Sequence, residues 1–264
     1  MYPVEERRVP ESNVPGESAS PTQPFPIKPP ALVRQELNET DISTVTAESN
    51  RYCSELFHSL QRGSMYTPYG RKQTLVVPGT LGGGTWSGGS FDPELGYLFV
   101  NVNELGSVGA MELQPAGAPL AYRRNSKEGE YARFWDQNQW PCQKPPWGTL
   151  NAVDASKGEI VWKVPLGIVA GLDGKTGSPN LGGTVATAGG LIFVGATADS
   201  RFRAFDSRTG KELWVAELPA SAYAAPVTYV GKKSGKQFVA IAAGGGGYFR
   251  GKTSDEVVAF ALPD

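Results

Sequence analysis

Histidine occurs once in this sequence of 264 residues, at His58, and cysteine twice, at Cys53 and Cys142. With one imidazole and no CxxC pair, metal sites built from several His and Cys ligands are excluded. Two open possibilities remain for the thiols: both buried and reduced, or joined in one disulfide pinning a long insertion, which requires an oxidising compartment such as the periplasm. Charge of one sign is also lacking. Lys and Arg number 25 against 26 Asp and Glu, for a formal net charge of -1. A nucleic-acid or anionic-membrane partner demands a basic face, so neither is expected. No run approaches the roughly 18 apolar residues of a membrane-spanning helix. The stretch Met1–Arg8 is too polar and acidic for a secretory signal, so the sequence as it stands offers no export address.

What the sequence has in quantity is Gly (33) and Pro (21). Such content means many turns, and suits short strands better than long helices. Pro10, Pro15, Pro21, Pro24, Pro26, Pro29 and Pro30 crowd the first part. Proline cannot donate a ladder hydrogen bond, so residues 9–75 are expected to be an irregular insertion. Spaced apolar residues between Glu36 and Arg62 (Leu56, Phe57, Leu60) allow one or two short helices within it. From Thr74 the texture changes. Thr74–Val77, Tyr97–Val100, Leu191–Val194 and Phe238–Ile241 read as buried strands bounded by Gly. Residues 104–146, including Glu128 to Arg133, read as a further polar loop.

An internal repeat organises these strands. Leu150–Trp162 and Phe202–Trp214 align in register, with Ala152/Ala204, Asp154/Asp206, Gly158/Gly210 and Trp162/Trp214 coinciding. The tryptophans fall 214 − 162 = 52 positions apart, near the roughly 40–50 residues of a propeller blade. In each copy a strand ends at an Asp able to cap the turn, a Gly takes the left-handed position, and the next strand carries an indole outward to wedge against the adjacent blade.

Extending outward from the two copies gives an all-β chain: a partial β-propeller of about three four-stranded blades with long irregular insertions. Residues 1–8 are expected to be the outer strand of a truncated blade with no inner partners. The insertion 9–75 follows, then a blade over 76–166 interrupted by the loop 104–146. A compact blade spans 178–218. A closing blade over 222–264 has three strands, one short of four. The whole is expected to be a single C-terminal sector of a larger wheel.

At these motifs the sequence resembles the dehydrogenases that depend on pyrroloquinoline quinone (PQQ), and within them the membrane-bound glucose dehydrogenase-like subgroup. The resemblance runs over nearly the whole chain. It is carried by Ser20–Pro26, by Pro78–Gly83 with Trp86, by Pro145–Gly148 and by Pro179–Thr184 with Thr187–Gly189. Ala196–Asp199, Leu218–Ala220, Ala225–Tyr229 and the Gly244–Gly247 run complete it. The resemblance implies a propeller of about eight blades holding PQQ and a calcium ion on its axis. It also implies a catalytic Asp that accepts the substrate proton while hydride moves to the quinone, and a periplasmic location, in solution or at the inner membrane. In such proteins that Asp and the calcium ligands lie in earlier blades, so no catalytic or metal-binding residue is expected within this chain, and Met1 is expected to be an internal start.

Three cofactor-binding residues are carried over. Asn101, at the end of its strand, matches an asparagine that hydrogen-bonds the cofactor; by itself it could equally cap a turn. Leu181 matches a position facing the quinone ring, with core packing as the competing role. Gly182 would let backbone approach a flat cofactor. Trp86 is expected to serve a blade structurally. Gly246 stands where the glucose-oxidising subgroup has a histidine at the pocket mouth, which leaves another sugar or an alcohol as substrate. Electrons would pass to a quinone or another acceptor.

The expected function is thus the C-terminal part of a sugar- or alcohol-oxidising quinoprotein, inactive without its other blades. A non-catalytic propeller that binds proteins, or a scaffold completed by self-association, is the alternative. Glu104, Glu112 and Asp199 stand singly, with no spaced pair to assign as acid and base.

Overall fold

The computed structural model describes residues 3–125, 132–172, 174, 176–249 and 251–262. Met1, Tyr2 and Glu128, which the sequence placed in a strand and a loop, lie outside the described residues. In chain order the elements are β1 (Val4–Arg8), β2 (Thr22–Pro26), a 3-10 turn at Glu39–Asp41, α1 (Ala47–Ser59), β3 (Gln61–Arg62), β4 (Thr74–Val76), β5 (Gly83–Gly84), β6 (Ser90–Asp92), β7 (Tyr97–Asn103), β8 (Ser107–Leu113) and β9 (Tyr122–Asn125). Then come β10 (Gly148–Asp154), β11 (Glu159–Pro165), β12 (Thr184–Ala186), β13 (Leu191–Val194), β14 (Arg201–Asp206), β15 (Glu212–Glu217), β16 (Val227–Val230), β17 (Gln237–Ala242), a 3-10 turn at Gly247–Phe249 and β18 (Val257–Ala261). The chain divides into two compact units, one of residues 1–83 and 104–145, the other of 84–103 and 146–264.

The first unit is built around α1. Thr46 caps the helix, its Oγ1 accepting the Ser49 N–H at 3.1 Å. Ser49, Cys53 and Phe57, four residues apart, form its buried face. That face packs with Leu37, Ile42, Leu60, Leu75, Val77, Val108 and Phe134 into one cluster. Cys53 and Cys142 are joined in a disulfide inside it, both fully buried, which settles the question the sequence left open.

Two expectations fail in this unit. The polar stretch after residue 104 is not a loop throughout: β8 and β9 pair with each other, and β8 also pairs with β4 to make a sheet in the order β3-β4-β8-β9. The first strand has a partner, β2, in the proline-rich segment assigned to irregular structure. Pro24 and Pro26 are tolerated because a two-stranded ribbon leaves one side of each strand without ladder bonds.

The second unit holds three antiparallel sheets in succession. The first runs β11-β10-β7, with β5 and β6 on the far side of β7; the second runs β12-β13-β14-β15; the third is β16-β17-β18. This is the all-β, partial-propeller architecture expected, the third sheet having three strands. Phe99, Leu150, Ala152, Ile192, Val194 and Phe205 fill the space between the first and second sheets. Phe202, Val239, Ile241, Phe193 and Phe260 fill that between the second and third. Fully burying a side chain such as Phe99, Ile192 or Phe202 contributes about 1.5–3 kcal/mol.

The repeat is visible atom by atom. Asp154 Oδ1 accepts the N–H groups of Ser156 (2.9 Å) and Lys157 (3.1 Å). Asp206 Oδ1 accepts those of Arg208 (3.0 Å) and Thr209 (2.8 Å). Gly158 and Gly210 follow with φ of 63° and 69°. The β10–β11 and β14–β15 pairings shift register at the same point, between Ala152 and Val153 and between Ala204 and Phe205. Both indoles lie toward the following sheet. Trp162 donates from Nε1 to the Ser207 carbonyl at 3.1 Å, and Trp214 meets Phe260 edge-on at 5.0 Å.

Candidate functional site

β7 ends in alternating asparagines, Asn101 and Asn103, and a strand places residues two apart on one face. Both are buried, and both reach the segment Pro179–Gly183 that leads into β12. Asn103 Nδ2 donates to the Asn180 carbonyl at 2.6 Å, and the Asn180 N–H returns to Asn103 Oδ1 at 2.7 Å. This reciprocal pair imitates a ladder rung with a side chain as one rail. Asn180 Nδ2 donates to the Val102 carbonyl at 3.1 Å.

Asn101 completes the network. Its Nδ2 donates to Asn180 Oδ1 at 2.7 Å and to the Gly182 carbonyl at 3.1 Å. Both amide hydrogens are therefore spent on the protein. Its Oδ1 is buried without a hydrogen-bond partner. A buried acceptor left empty costs about 1–3 kcal/mol. With only that oxygen to offer, Asn101 suits a ligand group that is an N–H or O–H donor.

Gly182 has φ of 105°, and a Cβ there would sit 2.8 Å from the Tyr223 carbonyl oxygen. Only glycine fits both the backbone conformation and that approach. A Cβ on Gly183 would likewise sit 2.8 Å from the Ser87 carbonyl oxygen. Leu181, between Asn180 and Gly182, is half-buried and tied by its N–H to the Ala196 carbonyl at 2.8 Å. The three carried-over positions, Asn101, Leu181 and Gly182, are thus brought together. Asn103 and Asn180 were missed, although the period-2 asparagines of β7 and the asparagine directly before Leu181 were a usable signal.

Trp86 was expected to serve a blade structurally. It is 89% exposed, on the turn before β6, whose neighbour Thr85 donates from Oγ1 to the Gly182 carbonyl at 3.5 Å. Gly246 occupies a loop where three successive glycines, Gly245, Gly246 and Gly247, have φ of 59°, 63° and 66°. Side chains there are strained whatever their chemistry. A Cβ at Gly246 would also lie 2.8 Å from Thr253 Cγ2.

Asp199, unassigned in the sequence, pairs with Arg203, whose side chain is only 2% exposed. The Arg203 Nη1 also donates to Thr197 Oγ1 at 3.1 Å, and its Nε to Glu212 at 3.0 Å. Asp199 further accepts the Ile168 N–H at 3.0 Å. Buried guanidinium and carboxylate are both satisfied here, as a buried pair requires. Among the described residues no three His, Cys, Asp or Glu side chains stand together as a metal site.

The β-propeller domain of glucose, ethanol and alcohol dehydrogenases, the PQQ family, matches residues 1–239. A probable quinate dehydrogenase (quinone) of Xanthomonas campestris pv. juglandis is 36% identical over 99% of this chain and 36% of its own length. The glycerol dehydrogenase large subunit of Gluconobacter thailandicus is 36% identical over 100% of the chain and 40% of its own length. The quinoprotein glucose dehydrogenase of Escherichia coli (strain K12) is 33% identical over 100% and 36%. The chain therefore spans well under half the length of these relatives. On the match over residues 1–239, the chain belongs to the PQQ family of glucose, ethanol and alcohol dehydrogenase β-propellers.

Proposed function

We propose that this chain is the C-terminal sector of a PQQ-dependent dehydrogenase that oxidises a sugar or another alcohol. The blades over 76–166, 178–218 and 222–264, with the insertion 9–75, make up that sector. Bound PQQ supplies the hydride-accepting quinone. Asn101, Leu181 and Gly182 form this sector's share of the cofactor face. The observation that carries the proposal is Asn101 itself. Its oxygen is buried and empty, as is that of Asn151, but only the Asn101 amide also holds the Gly182 carbonyl and Asn180, on either side of Leu181, and so sets an empty acceptor beside the carried-over cofactor positions. The glycine at 182 lets its backbone pass close to the Tyr223 carbonyl, where a Cβ would stand only 2.8 Å from the oxygen.

In this proposal the catalytic Asp and the calcium ligands come from elsewhere in the propeller, and the chain alone does not turn over. Electrons leave to a quinone or a similar acceptor. The buried Cys53–Cys142 disulfide supports work in an oxidising compartment such as the periplasm. Among the described residues no helix is long and apolar enough to cross a membrane. The alternative substrate classes are separated by the pocket mouth: Gly246 places no side chain there, which favours substrates other than glucose.

The test is co-expression of the chain with the polypeptide encoded directly upstream, in the presence of PQQ and calcium. PQQ binding and substrate-dependent dye reduction are expected for the pair and not for the chain alone. A pair that folds yet binds no PQQ sinks the proposal, and a cofactor-free closed oligomer of the chain points instead to a protein-binding scaffold.

A further inference from the structure

We infer that Asn180 is a positioning residue of the cofactor face, acting through Leu181 and Gly182 without itself touching the ligand. The inference rests on the function proposed above, and it extends the site to residues that neither the sequence motifs nor the family match assigns.

The geometry is a transfer of rigidity from a strand to a loop. β7 is locked on one side by seven residue pairs with β10, from Gly148↔Asn103 to Asp154↔Tyr97. Its last three residues then hold two loop residues, Asn180 and Gly182. Asn103 clamps both main-chain polar groups of Asn180. The Val102 carbonyl receives the Asn180 amide, which fixes the Asn180 side chain with its oxygen toward Asn101. Asn101 closes the circuit by bonding that oxygen and the Gly182 carbonyl with its two hydrogens. Leu181, tied by its own N–H to the Ala196 carbonyl, lies between two neighbours anchored from β7.

The consequence is a dependence that runs one way. Without the Asn180 amide, one Asn101 hydrogen and the Val102 carbonyl lose their partners, and the Asn101 amide is free to rotate. The polarity that leaves Oδ1 empty is then no longer enforced, and the Gly182 carbonyl loses a fixed donor. A structural amide elsewhere in the same sheet does none of this. Asn151 on β10 is just as buried and also leaves its Oδ1 without a partner, but its Nδ2 bonds the Val100 carbonyl at 3.2 Å and Thr149 Oγ1 at 3.0 Å, with no bond to residues 180–182. It is the internal control.

The experiment measures PQQ affinity by equilibrium dialysis on the co-expressed pair, for wild type, Asn180→Leu, Asn103→Leu and Asn151→Leu. Backbone amide resonances of Leu181 and Gly182 are recorded without PQQ as a second readout. Asn180→Leu and Asn103→Leu are expected to weaken PQQ binding by about tenfold or more. Asn151→Leu should stay within about twofold of wild type, because it shares no partner with the loop. The Leu181 and Gly182 resonances should move in the first two variants and not in the third. Should Asn180→Leu fail to accumulate as folded protein, Asn180→Ser removes the same bonds without apolar bulk and takes its place. Wild-type affinity in the Asn180 variant, or equal weakening in Asn151→Leu, overturns the inference. If no preparation of wild type binds PQQ, the functional proposal falls, and the positioning claim is decided by the resonances: an unmoved Leu181 and Gly182 in the Asn180 variant refutes it.

Discussion

The indole of Trp162 lies against the backbone of Gly210, one sheet further along the chain: a Cβ built on Gly210 would stand 2.7 Å from Trp162 Cε3. Gly210 is therefore required twice, by its φ of 69° and by the ring that covers it. The same indole stacks on Phe99 of its own sheet at 5.8 Å, so one side chain joins two successive sheets. Trp214 makes the corresponding reach onto Phe260 but stays 37% exposed.

Gly210→Ala should expose both requirements. Gly235 has φ of 67° with nothing within 4 Å of an added Cβ, so Gly235→Ala reports the backbone cost alone, about 1 kcal/mol. Gly210→Ala should cost about 2–4 kcal/mol, the excess arising from displaced indole. Urea denaturation of the two variants gives the difference directly. Equal losses would show that the ring does not press on the turn.

The Asp154 turn predicts a particular acid response. The Ser156 hydroxyl, donating to Oδ1 at 2.6 Å, is the main cause that holds the Asp154 carboxyl at about 2, below its ordinary 3.8; burial opposes it and the Lys157 and Ser156 N–H groups assist. A carboxyl whose folded pKa lies below its unfolded one stabilises the fold above the unfolded value and loses that contribution as pH falls through the folded value. The stability gap between wild type and Asp154→Asn should thus be constant above about pH 5 and shrink between about pH 4 and 2. Asp206, lowered chiefly by the Thr209 hydroxyl, should behave alike in direction. A gap that does not change with pH would remove the assigned cause.

The disulfide predicts a third outcome. Cys53 and Cys142 are 89 residues apart in sequence, and closing a loop of that size stabilises by about 4–5 kcal/mol on chain-entropy grounds. Cys53→Ala with Cys142→Ala should lower protection against hydrogen exchange in α1 and in residues 132–143. Because both sulfurs are fully buried, a mild thiol reductant should leave the bond intact until denaturant opens the cluster. Reduction under native conditions would contradict this packing.

What the sequence disclosed, and what it hid, follows the range of the interactions involved. The Asp154–Gly158 and Asp206–Gly210 turns are closed by atoms within four residues of each other, so residue type and spacing suffice to read them. A third turn of the same kind, Asp92 to Gly96, closes on Glu94 and Leu95 N–H groups at 2.9 and 3.1 Å and escaped notice because no Trp follows it. β8 was hidden because its partner β4 lies some thirty residues earlier, and β2 because its prolines mask a ribbon that needs few ladder bonds. Leu181 and Gly182 came from likeness to known proteins; the bonds that hold them, through Asn180, depend on two chain segments about eighty residues apart and have no local pattern.

The proposed cofactor face sets the C-terminal end of β7 beside residues 180–183, which lead into β12. Hydrogen exchange on the co-expressed pair, with and without PQQ, tests it most directly. Added PQQ should slow exchange in residues 99–103 and 180–183 while leaving the outer strand Glu212–Glu217 unchanged. Slowing confined to other segments, with residues 180–183 exchanging at the same rate in both samples, would contradict the account.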